Sequence, residues 1–195
     1  FKYIHIANSA GTTALDLPWC NLFRVGAGAY GMWPSQHNKI ITQERYPGFN
    51  LTPIISWKSR IIEIKNIPAH SFIGYDRTIY TAHPKKIAII PIGYYDGYDF
   101  RLYNLASMYV HDKSVRIIGR IAMNLTMLDI TDCDPIALGD EVTIIANKPG
   151  IGAYELGILA GNPNVREITT KINAIITRIA ITDNSRETIA TPHSE

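Results

Sequence analysis

From residue 51 onward, short apolar segments rich in β-branched residues recur along the chain. Residues 86–92 form one such run, with the length and composition of a buried strand. Residues 53–66 alternate imperfectly between apolar and polar side chains, which predicts one long strand. Further short strands are predicted at 107–110, 115–119, 125–130 and 141–146. Strands separated by about 8–12 residues favour an antiparallel barrel or sandwich.

The beginning of the chain has a different pattern, in which short strands precede loops of small residues. Residues 2–7 predict a strand, and Asn8 and Ser9, which follow it, are typical of helix N-caps. Residues 22–26 predict a second strand, which ends in a Gly-Ala-Gly loop. Two such units are typical of the last part of a (β/α)8 barrel, where the loops after strands 7 and 8 often bind phosphate. Two ordinary βα turns are the alternative.

Between these regions, residues 31–50 are rich in Pro, Gly and polar residues without clear periodicity, which predicts a linker. We therefore expect a barrel remnant over residues 1–40, a C-terminal β domain over residues 41–185 and a loose tail over residues 186–195.

Three local elements complete the predicted secondary structure. A helix is expected at 153–160, where Gly161 follows, and a helix running into a strand is expected over 165–180. Asp112 and Lys113 separate two short strands and predict a hairpin turn.

Composition excludes several classes of function. The net charge is +2 with 18% charged residues, which argues against nucleic-acid binding and against an anionic membrane surface. No apolar run reaches about 18 residues, so no transmembrane helix is predicted. Cys20 and Cys133 are isolated, which argues against a disulfide framework and against a zinc site; no metal is expected. A reducing cytoplasm is the expected location.

Six motifs occur in order along the chain: HIANSAG at 5–11, FRVGAGAYG at 23–31, GYDRTIYTA at 74–82, PIGYYDGY at 91–98, GRIAMNLTMLDIT at 119–131 and LGDEV at 138–142. Together they resemble alanine racemase, the pyridoxal-phosphate (PLP) enzyme with an N-terminal barrel and a C-terminal β domain. The resemblance runs from about His5 to Ile181. It implies a mainly β C-terminal domain preceded by the last two βα units of a (β/α)8 PLP-binding barrel.

The resemblance also implies roles at the substrate. Tyr75 matches the tyrosine that moves the α-proton on one face of the substrate, while the PLP-linked lysine works on the other. A free phenol has a pKa of about 10, so such a base needs nearby positive charge. Tyr94 and Met123 match positions that line the substrate entrance, with the Met123 backbone near the substrate carboxylate. Asn124 stands where the family often has aspartate. The alternatives are a packing role for Tyr75 and core filling for Met123.

Other matches concern the cofactor. The phosphate is expected in a cup of small residues: Ser9, Gly26 and Ala27. Asn8 either supports this cup or only caps the helix. Arg24 matches the arginine that faces the pyridine nitrogen, and a surface arginine at a strand end is the alternative. Arg166 stands where many relatives have a tyrosine that reaches the phosphate; it either binds the phosphate or points away.

A match to the family's cofactor lysine is missing. That lysine lies in a K-x-N-A-Y-G-H-G-like motif, and none of the nine lysines has this context. Because a Schiff base requires a lysine, we expect a C-terminal fragment that is inactive alone. The parent enzyme would interconvert L- and D-alanine for bacterial peptidoglycan.

The resemblance further implies a homodimer in which Tyr75 completes the partner's site. Three alternatives stay open. They are a racemase for serine or another amino acid, a non-catalytic dimerisation or binding β domain, and, more distantly, a PLP decarboxylase with the same two-domain plan.

Overall fold

The computed structural model describes residues 1–133, 135–162, 164, 166–182 and 185–189, which contain eleven strands and four α-helices. The strands are β1 (Trp57–Arg60), β2 (Glu63–Ile67), β3 (Ser71–Ile73), β4 (Ile79–Thr81), β5 (Lys85–Ile90), β6 (Ser107–Val110), β7 (Lys113–Ile117), β8 (Thr126–Asp129), β9 (Glu141–Ile145), β10 (Arg178–Thr182) and β11 (Ser185–Ile189). The helices are α1 (Ser9–Ala14), α2 (Gln36–Arg45), α3 (Ala153–Leu159) and α4 (Glu167–Thr170), with short 3-10 helices at Ala27–Tyr30, Tyr75–Arg77 and Phe100–Leu102.

Seven of the strands in the described residues form one antiparallel sheet, in the order β1-β9-β6-β7-β8-β5-β2. The strands predicted from the apolar runs lie in this sheet, with limits that differ by a few residues. The prediction of an antiparallel β domain is therefore confirmed.

The prediction of a single strand over 53–66 is wrong, because the chain breaks between β1 and β2. Ile61 bonds to the β9 side, where its N–H donates to the Asp140 carbonyl at 3.0 Å. Ile62 bonds to β5, where its N–H donates to the Ile89 carbonyl at 2.9 Å. Since β1 and β2 are the opposite edges of the sheet, this change of partner joins the two edges and curls the sheet into a barrel-like form.

β5 is an apolar run because it is buried on both faces. Ala88 and Ile90 point into the main core inside the curled sheet. Ile87 points the other way and packs with Ile73 and Ile118 in a second, smaller cluster. The β3–β4 hairpin, which the sequence did not predict, therefore covers the outer side of β5 and is held there by apolar contact.

The turn between β6 and β7 lies one residue earlier than predicted. It consists of His111 and Asp112, with φ of 46° and 63°, whereas Lys113 already belongs to β7. Two consecutive positive φ values match the type I′ turn that suits a two-residue hairpin.

The segments predicted as strands at 2–7 and 22–26 do not form regular strands. They meet at one parallel bridge, between Asn8 and Arg24. The Arg24 N–H donates to the Ala7 carbonyl at 3.0 Å. This parallel pairing is the direction expected of successive barrel strands, and the predicted helix follows it as α1, capped by Asn8.

The linker predicted over 31–50 is wrong, because α2 occupies its centre. The Ser35 hydroxyl caps this helix by accepting from the Asn38 N–H at 3.1 Å. α2 packs on α1 through polar contacts: the Asn38 side-chain amide donates to the Ala10 carbonyl at 3.1 Å, and the Thr13 hydroxyl bonds to the Asn38 side-chain oxygen at 3.1 Å. α2 therefore belongs with the first βα units.

The C-terminal region contains one confirmed helix and one strand pair. The helix predicted at 153–160 is α3, and the mixed segment after it contains α4 and β10. Residues 186–189, which lie in the predicted loose tail, belong to β11 and pair with β10; the loose tail stays a prediction. Residues 190–195 lie outside the described residues. The limits of the predicted domains stay predictions, and no described helix has the length and apolar character to cross a membrane.

Candidate active site

Tyr75 lies in the loop that joins β3 to β4, and its side chain faces solvent. The residue is 66% exposed, so packing does not explain it. The loop has unusual backbone geometry: Gly74 has a φ of 79°, and Asp76 and Arg77 have φ of 57° and 51°. Residues 74–78 are called the tyrosine loop below. Its shape presents a phenol on a strained backbone at one end of the curled sheet.

Arg120 lies beside the tyrosine loop, next to the residues on both sides of Tyr75. Its guanidinium forms an ion pair with the Asp76 carboxylate. On the other side, Gly74 faces the backbone of Gly119 and Arg120, and a Cβ added to Gly74 would lie at an ordinary van der Waals distance, 3.4 Å, from the Arg120 nitrogen. The guanidinium also lies 6.0 Å from the centre of the Phe100 ring. Arg120 therefore joins the loop that carries Tyr75 to Phe100, with its charge paired to Asp76.

Tyr94 and Met123 lie side by side because Gly93 lets two loops approach closely. A Cβ added to Gly93 would lie 2.2 Å from the Ala122 carbonyl oxygen, closer than any side chain permits. The Tyr94 N–H donates to that carbonyl at 3.1 Å. In the same way, the Tyr95 N–H donates to the Met123 carbonyl at 3.0 Å. The two residues predicted at the substrate entrance are therefore neighbours.

Phe100 connects these residues to Arg120. Its ring lies edge-on to the Tyr94 ring, with centroids 6.2 Å apart. Tyr94 and Met123 are each 50% exposed, which argues against core filling by Met123. The tyrosine loop, Arg120, Phe100 and the Tyr94–Met123 pair thus form a continuous surface at one end of the sheet.

An open cavity of about 640 Å³ adjoins Tyr94 and Phe100. The charged residues that line it form ion pairs with each other. Arg101 donates to the Asp99 carboxylate at 2.6 and 2.9 Å, and the Lys171 ammonium lies 2.8 Å from the Glu167 carboxylate. The hydrogen bonds from Arg101 hold the pKa of Asp99 below its usual range. These pairs neutralise the charges beside the predicted substrate entrance.

A second group of predicted residues meets at the start of α1. The Ser9 side chain is buried, and its hydroxyl oxygen accepts from the N–H groups of Gly26 at 2.9 Å and Gly28 at 3.2 Å. A hydroxyl has two acceptor positions and one proton, so the Ser9 proton remains for a further acceptor. Ala27 begins a short helix beside it, and a Cβ added to Gly26 would meet nothing within 4 Å.

This cup fits a phosphate group. It offers a hydroxyl proton, the first N–H groups of two short helices and open space at Gly26. No hydrogen bond, ion pair or ring contact between described residues joins the cup to the surface that carries Tyr75. The predicted site residues in the described part of the chain therefore form two groups that no such contact links.

The remaining predicted residues have local contacts. The Asn8 side-chain oxygen accepts from the Gly11 N–H at 3.1 Å, which establishes its capping role. Arg24 is exposed, and its guanidinium lies 3.5 Å from the Ile6 carbonyl oxygen. Arg166 donates from Nε to the Asn164 side-chain oxygen at 2.8 Å, and its contacts in the described part of the chain include no residue of the cup.

Sequence analysis assigned no role to Arg120 or Phe100, although both lie in or beside the quoted motifs. Arg120 belongs to the GRIAMN stretch, and Phe100 is the second residue after PIGYYDGY. An arginine after a glycine, inside a motif that also holds Met123, was the available signal. Its partner Asp76 is 44 residues away, so only the fold shows the pair.

The sequence model of the alanine racemase C-terminal domain matches residues 54–180. The chain belongs to the alanine racemase family. The resemblance found in the six motifs is thereby confirmed, and so is the C-terminal domain fold.

Relatives agree along nearly the whole chain. An alanine racemase of Leptospira interrogans serogroup Icterohaemorrhagiae serovar copenhageni is 40% identical over 188 residues, which cover 93% of this chain and 48% of that protein. A crystal structure of alanine racemase from Bacillus anthracis with bound L-Ala-P has a TM-score of 0.83 and 32% identity, and covers 96% of this chain and 47% of that one.

A third relative, the crystal structure of alanine racemase from Bartonella henselae with covalently bound pyridoxal phosphate, has a TM-score of 0.70 and 26% identity. It covers 86% of this chain and 44% of that one. The chain thus spans about half the length of these relatives. They are isomerases by name, and the members described above are bacterial.

Proposed function

We propose that this chain is the C-terminal half of a PLP-dependent alanine racemase, called the longer enzyme below. The observation that carries the proposal is the exposed phenol of Tyr75 on a loop that an ion pair joins to Arg120. An acid–base residue must be accessible and fixed, and it must have nearby positive charge if it is a phenol. Tyr75 is accessible, its loop is held by the Asp76–Arg120 ion pair, and Arg120 is the cation proposed to act on it.

In this proposal, Tyr75 adds or removes the α-proton on one face of alanine. Tyr94 and Met123 form the wall beside it, and the Met123 backbone faces the substrate carboxylate. A carboxylate oxygen accepts hydrogen bonds, so the Met123 N–H, and not its carbonyl, is the backbone group proposed to bind it. The half-exposed rings of Tyr94 and Phe100 restrict access of water to the proton-transfer position.

PLP fits the second group of residues. The Ser9 hydroxyl donates to the phosphate, and the backbone at Gly26 and Ala27 surrounds it, with Asn8 keeping α1 in place. Arg24 would face the pyridine nitrogen and, as a donor that keeps its proton, would leave that nitrogen unprotonated. Arg166 is proposed as a further phosphate contact. When bound, PLP supplies the electron withdrawal that stabilises the negative charge left on the α-carbon.

The lack of a direct contact between the two groups in the described residues supports a shared site in a homodimer. Ser9 and Arg24 would serve the site of their own barrel, whereas Tyr75 would serve that of the partner. Because the cofactor lysine motif has no match in this chain, we expect the chain alone to be inactive. We further propose that the longer enzyme is cytoplasmic and supplies D-alanine for peptidoglycan.

Subunit mixing tests this arrangement. The longer enzyme with Tyr75→Phe is mixed with the longer enzyme whose cofactor lysine is replaced, and subunit exchange is confirmed by mass. Each mixed dimer then has one complete site, so random exchange restores roughly a quarter of the wild-type activity. Exchange without any restoration would contradict the shared site. Restored activity toward alanine but not toward serine would also decide the substrate.

A further inference from the structure

We propose that Asp76 and Arg120 are a positioning pair for Tyr75, and that their contact sets the direction of the phenol. The inference rests on the proposed function, in which Tyr75 transfers the α-proton. Neither residue needs to touch the substrate in this role. They act through the backbone of the tyrosine loop.

The first observation is the weak internal support of that loop. Asp76 and Arg77 both have positive φ, a conformation that side chains other than glycine adopt at a cost. The hydrogen bonds within the loop are long: the Thr78 N–H and the Thr78 hydroxyl both donate to the Tyr75 carbonyl at 3.4 Å. A strained segment with such bonds needs an external contact to keep one conformation.

The second observation is that Arg120 is a fixed anchor. Its Nε is buried, and its guanidinium lies against the Phe100 ring. The residue before it is also fixed, because the Gly119 N–H donates to the Asn104 side-chain oxygen at 2.7 Å. By contrast, the Asp76 side chain is 65% exposed and has this one ion pair as its fixed contact among the described residues. The anchor therefore determines where Asp76 lies.

The third observation is the position of Tyr75 between two contacts to the same residue. Gly74 lies beside the Gly119–Arg120 backbone, and Asp76 pairs with the Arg120 guanidinium. With both contacts in place, the backbone on either side of Tyr75 is fixed. Without the ion pair, the loop is held on one side only. An exposed ion pair contributes little to global stability, so its effect is on local orientation.

The test uses the longer enzyme with Asp76→Asn, with Arg120→Met and with both changes. Asparagine tolerates a positive φ as aspartate does, so Asp76→Asn removes the charge and keeps the backbone preference. We expect each single variant to lower kcat by roughly 10–100-fold, because a proton-transfer group moves out of line. The double variant should be no slower than the slower single variant, since both changes remove one contact.

Isotope effects separate positioning from a general structural role. If Tyr75 serves one face of the substrate, a misplaced Tyr75 slows only the proton transfer on that face. The primary isotope effect should then rise for one enantiomer of α-deuterated alanine and stay equal or fall for the other. Poor folding reduces the amount of active enzyme and changes neither isotope effect.

A matched control is available on another hairpin. Asp112 also has a positive φ, of 63°, and forms an ion pair with Lys148 away from Tyr75. Asp112→Asn should leave kcat and both isotope effects unchanged. Thermal unfolding of each variant shows whether the protein is folded.

Three results would overturn the inference. They are a kcat within about twofold of wild type in Asp76→Asn, isotope effects that change equally for both enantiomers, and loss of activity that tracks loss of folded protein. A wild-type longer enzyme without racemase activity, or full activity in Tyr75→Phe, would contradict the proposed function itself and the positioning role with it. Wild-type activity that needs Tyr75 but not Asp76 would contradict the positioning role alone.

Discussion

The hydroxyl oxygen of Ser9 accepts a hydrogen bond from the backbone N–H of Gly26 at 2.9 Å. This contact ties the first turn of α1 to the loop that follows the next strand segment. It uses the serine as an acceptor toward the protein and leaves its proton for a ligand. One side chain therefore has both a structural and a binding role at the cup.

The double role of Ser9 predicts two effects of Ser9→Ala. Loss of the acceptor leaves the N–H groups of Gly26 and Gly28 unpaired, which should lower the free energy of unfolding by about 1–3 kcal/mol. Loss of a charge-assisted hydrogen bond to phosphate should weaken PLP binding by roughly 10–150-fold. Urea unfolding of the longer enzyme measures the change in stability, and a PLP titration measures the change in affinity. Thr12→Ala, in the same helix, loses one exposed hydrogen bond to Asn8 and should leave PLP affinity unchanged.

The close approach of Gly93 to the Ala122 carbonyl predicts that Gly93→Ala strongly lowers the free energy of unfolding. A Cβ there would lie 2.2 Å from the Ala122 carbonyl oxygen, so the Tyr94 and Met123 loops must separate. We expect a loss of about 2–4 kcal/mol in the free energy of unfolding, measured by urea denaturation. Gly139→Ala is the control, because Gly139 has a positive φ but open space around it, and should cost about 1 kcal/mol. Equal losses in the two variants would show that the clash is absent.

The lowered pKa of Asp99 predicts that the stability of the folded protein depends on pH. Hydrogen bonds from Arg101 lower the pKa of its carboxyl group in the folded protein. The stability that the Asp99–Arg101 interaction adds to the folded protein is therefore fully present above the unfolded-state pKa of Asp99, about 3.9. It is lost as the pH falls through the folded-state pKa.

The corresponding variant is Asp99→Asn. It should be less stable than wild type by roughly 1 kcal/mol at pH 6, because the ion pair is partly exposed, and the difference should shrink as the pH is lowered below about 4. Urea unfolding from pH 6 down to the acid limit measures this. Asp132→Asn, at an exposed position, serves as the control. A difference that grows on acidification would contradict the assignment.

Much of the β domain could be predicted because its strands are short, β-branched and regularly spaced. The strand predicted at 86–92 is β5, whose apolar run reflects burial on both faces. The break at Ile61 and Ile62 could not be predicted in the same way. It depends on the hydrogen-bond partners of Ile61 and Ile62, which are Asp140 and Ile89 and lie far away in the sequence. Ile61 and Ile62 themselves are both apolar, one on each side of the break.

α2 shows why hydrophobic periodicity can fail. The side chains that it buries are those of Asn38 and Thr42, so no apolar stripe marks the helix. Its contacts to α1 are hydrogen bonds, which have no periodic signal. Ser35, an N-cap residue ahead of the helix, was the local sign of its start.

The candidate site was predictable as a set of residues but not as an arrangement. The motifs identified Ser9, Gly26, Tyr75 and Met123, and the fold brings the first two together and the last two onto one surface. The role of Arg120 depends on a partner across the fold, so a motif alone cannot show it. Roles in binding and catalysis stay predictions until they are measured.

The most direct measurement is the racemase activity of the longer enzyme with Tyr75→Phe. Phenylalanine keeps the ring and removes the hydroxyl, so the variant should stay folded and bind PLP as wild type does. We predict that kcat for interconversion of L- and D-alanine falls by roughly 10²–10⁴-fold. Activity within a few-fold of wild type, with PLP bound, would show that Tyr75 is not the acid–base residue and would contradict the account.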